Sequence, residues 1–337
     1  LKTGVLLINL GTPDSPLVPD VRKYLREFLM DRRVIDIPYL KRFLLINAII
    51  APVRAPKSSK VYKELWTEKG SPLLFYGLEL KDLLQKELGK NYLVSFGMRY
   101  QKPSLQAACK ELEGKGLDKI VVLPLFPQYA SASTGSAIEE TMKFIGKWEV
   151  IPEIRFVSNF ADHPLFIKAF AEIGKKYLEK EEFDHFIFTY HGLPERQIKK
   201  ASIENYCQLN DQCCSKYHSK NHYCYRAQCY ETTRLLVEEL KVPEGKYSVV
   251  FQSRLGKESW IKPYADEVIP ELARKGYKKI IMFSPSFIAD CLETTIEGGV
   301  EYKELFEKHG GDRWQLVESL NNHPMWVNCL KQIITKE

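Results

Sequence analysis

The chain has 337 residues, 45% of them apolar, which is more than one hydrophobic core ordinarily serves and enough to fill two. Its net charge of +6 comes from 49 basic residues scattered among 43 acidic ones, so a massed basic face is missing and no nucleic-acid partner is expected; mild basicity suits a small anion or an acidic membrane surface. No run approaches the ~18 apolar residues of a membrane-crossing helix, and the opening LKTGVLLINLGTPD reads as a strand and turn rather than a signal peptide. A cytoplasmic protein is expected, with any membrane association through its surface, and its eight cysteines are then thiols or metal ligands instead of disulfides.

In chain order, residues 4–11 read as a strand and 18–30 as a helix with apolar residues at helical spacing. The stretch 35–52, IDIPYLKRFLLINAIIAP, carries more apolar bulk than a connection needs and is flanked by Lys41, Arg42, Arg54 and Lys57. It reads as a buried helix, or else as a greasy lip or membrane-resting surface. A helix near 78–88, a strand at 92–100, a helix at 105–112, a strand at 119–127, a helix near 134–145 and a strand near 153–157 complete a first half. The second half runs helix 164–177, strand 186–191, a cysteine-rich segment, helix 232–240, strand 247–254, helix 264–275, strand 278–287, an acidic helix from 292 and a last helix near 325–334.

The halves echo each other. Lys115-Gly116-Leu117-Asp118-Lys119 before Ile120-Val121-Val122 matches Lys275-Gly276-Tyr277-Lys278-Lys279 before Ile280-Ile281-Met282, and Gly11-Thr12-Pro13-Asp14 matches Gly192-Leu193-Pro194-Glu195. Two copies of one α/β unit are implied, each a parallel sheet covered by helices, with a central cleft at the strand ends. The expected division is 1–158 as a first Rossmann-like domain with a lip at about 32–72, 159–320 as a second with the cysteine-rich insertion at about 197–231, and 321–337 as a C-terminal helix.

Two constellations carry chemistry. In FIFTYHGLPER the apolar run ends on His191, which places an imidazole on a strand's exit edge, where open α/β sheets bind ligands; a backbone-bonded core histidine is the plainer alternative. In SPSFIADCLETTIEGGVEY, Glu293, Glu297 and Glu301 recur every four residues along one helical face, and Gly298-Gly299 interrupt it. A solvated acidic face would look the same. If His191 and Glu293 share a site, imidazole and carboxylate suit a divalent first-row metal and can move protons.

In order along the chain, Leu7-Ile8-Asn9-Leu10-Gly11-Thr12-Pro13, Gly97-Met98-Arg99-Tyr100, Phe126-Pro127-Gln128-Tyr129, Ser133-Thr134-Gly135-Ser136, His191-Gly192-Leu193-Pro194, Gln252-Ser253-Arg254-Leu255-Gly256 with Trp260, and Ala289-Asp290-Cys291-Leu292-Glu293-Thr294 resemble ferrochelatase, a class II chelatase, over nearly the whole length. The resemblance implies two Rossmann-like domains around a porphyrin cleft and an enzyme, a metal-inserting lyase, that puts Fe2+ into protoporphyrin IX or coproporphyrin III to make haem. It maps the catalytic, iron-contacting pair onto His191 and Glu293, with Glu297 and Glu301 continuing a proton or metal relay. It places Arg54, Tyr62, Ser71, Arg99, Tyr100 and Trp260 around the porphyrin, and makes 35–52 a lip with peripheral membrane contact. Cys291 departs from the histidine many members carry two residues before the glutamate. A cobalt or nickel chelatase of the same fold, or a haem or iron-sulfur sensor on a similar scaffold, are the competing readings.

Five of the eight cysteines fall between Arg196 and Thr232. Such a loop most often binds a metal, since thiolates can replace a missing core. Zinc and free thiols are alternatives; the resemblance favours a [2Fe-2S] cluster on Cys207, Cys214, Cys224 and Cys229, with Cys213 as alternate to Cys214.

Overall fold

A computed structural model describes residues 1–336 except Asp211, Leu255 and Lys257; the Leu255 of the motif quoted above therefore lies outside the described residues. The chain divides into two α/β units, one of Leu1–Phe126, Ala130–Asn159 and the tail from Val327, the other of Pro127–Tyr129 and Phe160–Trp326.

The first unit holds β1 (Thr3–Gly11), β2 (Tyr92–Tyr100), β3 (Lys119–Pro124) and β4 (Glu153–Phe156), all parallel, in the order β2-β1-β3-β4. The second holds β5 (His185–His191), β6 (Tyr247–Gln252), β7 (Lys279–Phe283) and β8 (Arg313–Leu316), parallel, in the order β6-β5-β7-β8. The same strand order twice is the architecture the echo implies. In each sheet the chain leaves the first strand to one side and returns on the other, so the strand order reverses between β1 and β3 and between β5 and β7. Ligand crevices of open α/β sheets lie at the carboxyl ends beside such a reversal.

The strands are legible because they are buried on both faces. Ile187, Phe188 and Tyr190 on β5, Val250 and Phe251 on β6 and Ile280 to Phe283 on β7 have 1% or less of their surface exposed, as expected of continuous apolar runs in a parallel sheet. Ile187, Val250, Ile280 and Met282 share a core with Ile269, Phe306 and Trp314. Leu6, Ile8, Ile120 and Val122 do the same with Leu105, Leu112 and Ile145 in the first unit.

Several elements differ from expectation. The four-residue β8 is too short to show any alternation, yet its Trp314 is 4% exposed and donates through Nε1 to Gly298 O at 2.8 Å. The helix expected from 232 begins at Tyr225, directly after Cys224, and runs to Leu240. The helix expected from 78 begins at Pro72, a residue whose fixed φ and missing N–H suit a first helical turn. The apolar stretch 35–52 is helical, as Tyr39–Leu44, a widened Leu45–Ile50 and the start of Ala51–Leu65. Ile46 and Ala51 are fully buried, but Tyr39, Leu40, Phe43, Leu44 and Ile49 are each 43–67% exposed. The stretch is therefore a helix with one apolar side left exposed, not a wholly buried one.

Candidate active site

β5 carries one histidine at each end, and their surroundings differ. His185, at the amino end, is 3% exposed, shares a 2.9 Å hydrogen bond with Ser248 and packs on the Tyr277 ring at 4.9 Å. Burial, then the charge of Lys275, pushes its pKa down to about 4, so it is a neutral core imidazole. His191, at the carboxyl end, is half-buried. Its Nδ1 lies 2.6 Å from Gly192 O, and a carbonyl only accepts, so Nδ1 carries the hydrogen and the neutral ring keeps its lone pair on Nε2. Its own carbonyl accepts from Tyr225 Oη at 2.9 Å, and the Trp260 ring stands 6.5 Å away, centroid to centroid. Gly192 permits the turn: its N–H donates to Gln252 O at 2.8 Å, and a Cβ there would lie 2.9 Å from that oxygen and 3.2 Å from the Trp260 ring.

The acidic row sits on a helix of unusual width. Leu292–Glu301 is a π-helix, in which Tyr302 N–H donates to Glu297 O five residues back, and Tyr302–Lys308 continues as ordinary α-helix. Wider turns of this kind are rare and concentrate at functional sites. Two side chains from the sheet hold its carbonyls: Gln252 Nε2 donates to Glu293 O at 3.1 Å and Trp314 Nε1 to Gly298 O at 2.8 Å. Gly298 lets the helix lie close on the sheet, since a Cβ there would meet Met282 Cε at 2.4 Å.

Glu293 and Glu297 are half-buried and Glu301 is exposed. Glu297 accepts four hydrogen bonds: Oε2 from Gln252 Nε2 at 2.8 Å and Ser253 Oγ at 2.5 Å, and Oε1 from Ser253 N–H at 3.0 Å and Tyr302 Oη at 2.8 Å. Burial, then the Glu297 charge, keeps the Tyr302 phenol protonated far above its ordinary range, so it is a permanent donor. Cys291, beside the row, is buried, and burial followed by the Glu293 charge pushes its thiol well up. A neutral thiol is a poor metal ligand.

His191 and Gln252 are partners in the β5–β6 register. Because the acidic helix follows β7, both candidate groups of the second unit stand at the carboxyl ends of the strands flanking the reversal between β5 and β7. The topology thus brings His191 and the Glu293 helix to one sheet edge, with Trp260 beside the histidine.

The expected porphyrin-contacting residues of the first unit are mostly committed within it. Arg99 donates through Nε to Ser136 Oγ at 2.7 Å and through Nη2 to Asp31 Oδ2 at 2.8 Å. Tyr100 Oη donates to the same Asp31 oxygen at 2.9 Å. Burial alone would raise the Asp31 carboxyl, but Ser136, the Arg33 N–H, Arg99 and Tyr100 together hold it below the usual range. Ser71 is buried and accepts from Thr12 Oγ1 at 3.0 Å; Tyr62 is buried edge-on to Tyr24. Arg54 is exposed on the helix Ala51–Leu65. Sequence reasoning missed Asp31 and Tyr225, which no local pattern marks; Ser136, Gln252, Ser253 and Tyr302 stood in quoted stretches without a role.

In the cysteine-rich segment, Cys213 and Cys214 sulfurs are 4.0 Å apart, and Cys224 hydrogen-bonds both Cys207 and Cys214. The Cys224 bond is the chief cause that holds each of the Cys207 and Cys214 thiols down at about 6, and Arg226 Nη1 lies 3.2 Å from the Cys214 sulfur. Cys229 is wholly buried in the helix Tyr225–Leu240, its thiol raised by burial and hydrogen-bonded with Tyr225. Among the described residues no three His, Cys, Asp or Glu side chains are already disposed around a single metal position.

The ferrochelatase family model matches residues 2–337. The chain belongs to the ferrochelatase family. Ferrochelatases of Legionella pneumophila, strain Lens among them, are 46% identical over 337 residues, covering 100% of both chains. That of Coxiella burnetii strain RSA 493 is 42% identical over 335 residues, 99% of this chain and 94% of its own. With the Legionella chains covered in full, the cysteine-rich segment lies inside the match. Among solved structures, SirB from Bacillus subtilis with Fe3+ superposes with a TM-score of 0.54 at 12% identity, covering 99% of this chain and 96% of that one. The sirohydrochlorin chelatase SirB in complex with cobalt gives 0.51 at 11% identity, covering 99% and 94%. At such identity these structures speak for the chelatase fold alone.

Proposed function

We propose that the protein works as a ferrochelatase, inserting Fe2+ into protoporphyrin IX or coproporphyrin III, with His191 and Glu293 acting on one macrocycle. The observation that carries this reading is the pairing, at one sheet edge, of an imidazole with its Nε2 lone pair available and a carboxylate on a widened helix. Insertion exchanges the two pyrrole N–H protons for the metal. A base must therefore stand over the nitrogens, and an anionic group must receive the ion as it sheds water. His191 Nε2 takes a pyrrole proton; Glu293 contacts the Fe2+ or passes on a proton, and Glu297 and Glu301 extend the acidic row. Trp260 offers a ring face to the macrocycle. Arg54, Arg99, Tyr62, Ser71 and Tyr100 are the groups assigned to the porphyrin and its propionates. His191→Ala and Glu293→Gln are each expected to lower kcat for anaerobic Fe2+ insertion by about 10²–10⁴-fold, read as loss of the Soret shift with either porphyrin; turnover within tenfold of wild type in both would refute the assignment.

The cysteine-rich segment is proposed to hold a [2Fe-2S] cluster. Supporting this are the mutual contacts of the Cys207, Cys213, Cys214 and Cys224 sulfurs, and the hydrogen bonds and guanidinium that favour the thiolate at Cys207 and Cys214. These contacts favour Cys213 over Cys229 as the fourth sulfur beside Cys207, Cys214 and Cys224. The cluster, when bound, supplies a one-electron redox centre and a cross-link that staples the segment. Anaerobically purified protein is expected to show charge-transfer absorption and, after dithionite, a [2Fe-2S] electron paramagnetic resonance signal, lost in Cys207→Ser; bound zinc in place of iron and sulfide would contradict it.

Peripheral contact with a membrane through residues 35–52 is also proposed, supported by exposed Leu40, Phe43, Leu44 and Ile49 beside Lys41 and Arg54. Among the described residues no helix is long and apolar enough to cross a membrane. The variant L40D/F43D is expected to lose several-fold in co-sedimentation with phosphatidylglycerol vesicles; equal binding would locate the contact elsewhere.

A further inference from the structure

We infer that Glu297 is the fixed post of the acidic helix, and that Gln252, Ser253 and Tyr302 are positioning residues that set Glu293 through it. The inference rests on the role proposed for Glu293 above. Four donors occupy the two carboxylate oxygens of Glu297, leaving it poorly placed to exchange a proton or bind an ion without dismantling its surroundings. Two of those donors come from Ser253, whose φ of +65° is a conformation that side-chain-bearing residues seldom adopt. Strain held at such a place is tolerated where the surrounding contacts over-determine it, and here the N–H and the hydroxyl both reach the same carboxylate.

Gln252 joins the parts. Its side chain is 1% exposed, its Oε1 accepts from Thr189 Oγ1 at 2.8 Å, and its Nε2 is shared between the Glu293 carbonyl and the Glu297 carboxylate. A side-chain donor on a helix carbonyl competes with the next backbone N–H and is a recognised cause of a displaced turn. Gln252 holds the Glu293 carbonyl and Trp314 the Gly298 carbonyl, five residues on, so the wide turn carrying Glu293 is fastened at both ends to the sheet that carries His191. The clamp fixes the backbone of Glu293 relative to β6, the register partner of His191. Misplacement of a reacting group by even ~1 Å is enough to cost about a hundredfold in rate.

The test is a steady-state series on the full chain, with kcat and the KM for porphyrin measured separately and thermal midpoints recorded. Ser253→Gly keeps the backbone donor, suits the positive φ and removes only the hydroxyl; Gln252→Glu keeps the shape and the acceptor to Thr189. Each, and Glu297→Gln, is expected to lower kcat by about tenfold to a hundredfold, with the porphyrin KM and the thermal midpoint near wild type. The double variant Gln252→Glu/Glu297→Gln exchanges amide and carboxylate across the same contact and is expected to regain at least about fivefold over the worse single variant, the non-additivity of groups acting as a unit. If Ser253→Gly and Gln252→Glu stay within about twofold of wild type while Glu297→Gln falls to the level of Glu293→Gln and the double variant recovers nothing, Glu297 itself carries protons or metal and the clamp is overturned. If instead Glu293→Gln turns over like wild type, the proposed role of Glu293 fails, and the clamp with it.

Discussion

The structure of the second unit turns on the side chain of one buried glutamine. Gln252 ends the strand beside His191, and its amide reaches across the sheet edge to the helix that carries the acidic row. An amide has one acceptor and two donors in fixed geometry. Here the acceptor is taken by Thr189 on the histidine's own strand, while the donor nitrogen serves Glu293 and Glu297. Imidazole and carboxylate, about a hundred residues apart in the chain, are thereby referred to the same strand ends through one shared residue.

The two histidines of β5 show how position in a sheet sets a side chain's surroundings. Both are aromatic, titratable and bonded to a neighbour. His185 enters the core at the amino end, where burial keeps it neutral. His191 leaves the core at the carboxyl end, where Gly192 turns the chain and its carbonyl accepts the Nδ1 hydrogen bond, leaving Nε2 as the free nitrogen in the proposed role. The first unit repeats the strand order but places Leu10 where the second has His191, and it invests its polar groups in the Asp31, Arg99, Tyr100 and Ser136 network instead. The same scaffold thus carries different polar groups in its two copies, with His191 and the acidic row in the second.

Much of this was readable from residues alone. Doubly buried parallel strands announce themselves as apolar runs, which made the central strands legible, and the repeated turn motifs implied the duplicated sheet. His191 was marked by its abrupt appearance at the end of such a run, and Glu293 by a spacing of four. What escaped is tertiary. Gly298-Gly299 mark an interruption in the acidic helix, but the Gln252 and Trp314 side chains that hold its carbonyls are distant in sequence and leave no mark within Leu292–Glu301. β8 is recognisable only through its partner β7. The expected ligand set grouped Cys229 with Cys207, Cys214 and Cys224, whereas the helix starting at Tyr225 turns Cys229 inward to Tyr225 and leaves Cys224 at its tip with Cys207 and Cys214.

The central claim is that His191 and Glu293 serve one reacting centre held together through Gln252. A double-mutant cycle on kcat for anaerobic Fe2+ insertion, using His191→Ala, Glu293→Gln and the combined variant, tests it most directly. Groups acting as a unit are strongly non-additive, so the combined variant is predicted to fall little below the slower single one. Losses that multiply would mean that the imidazole and the carboxylate contribute independently of each other and would contradict the account.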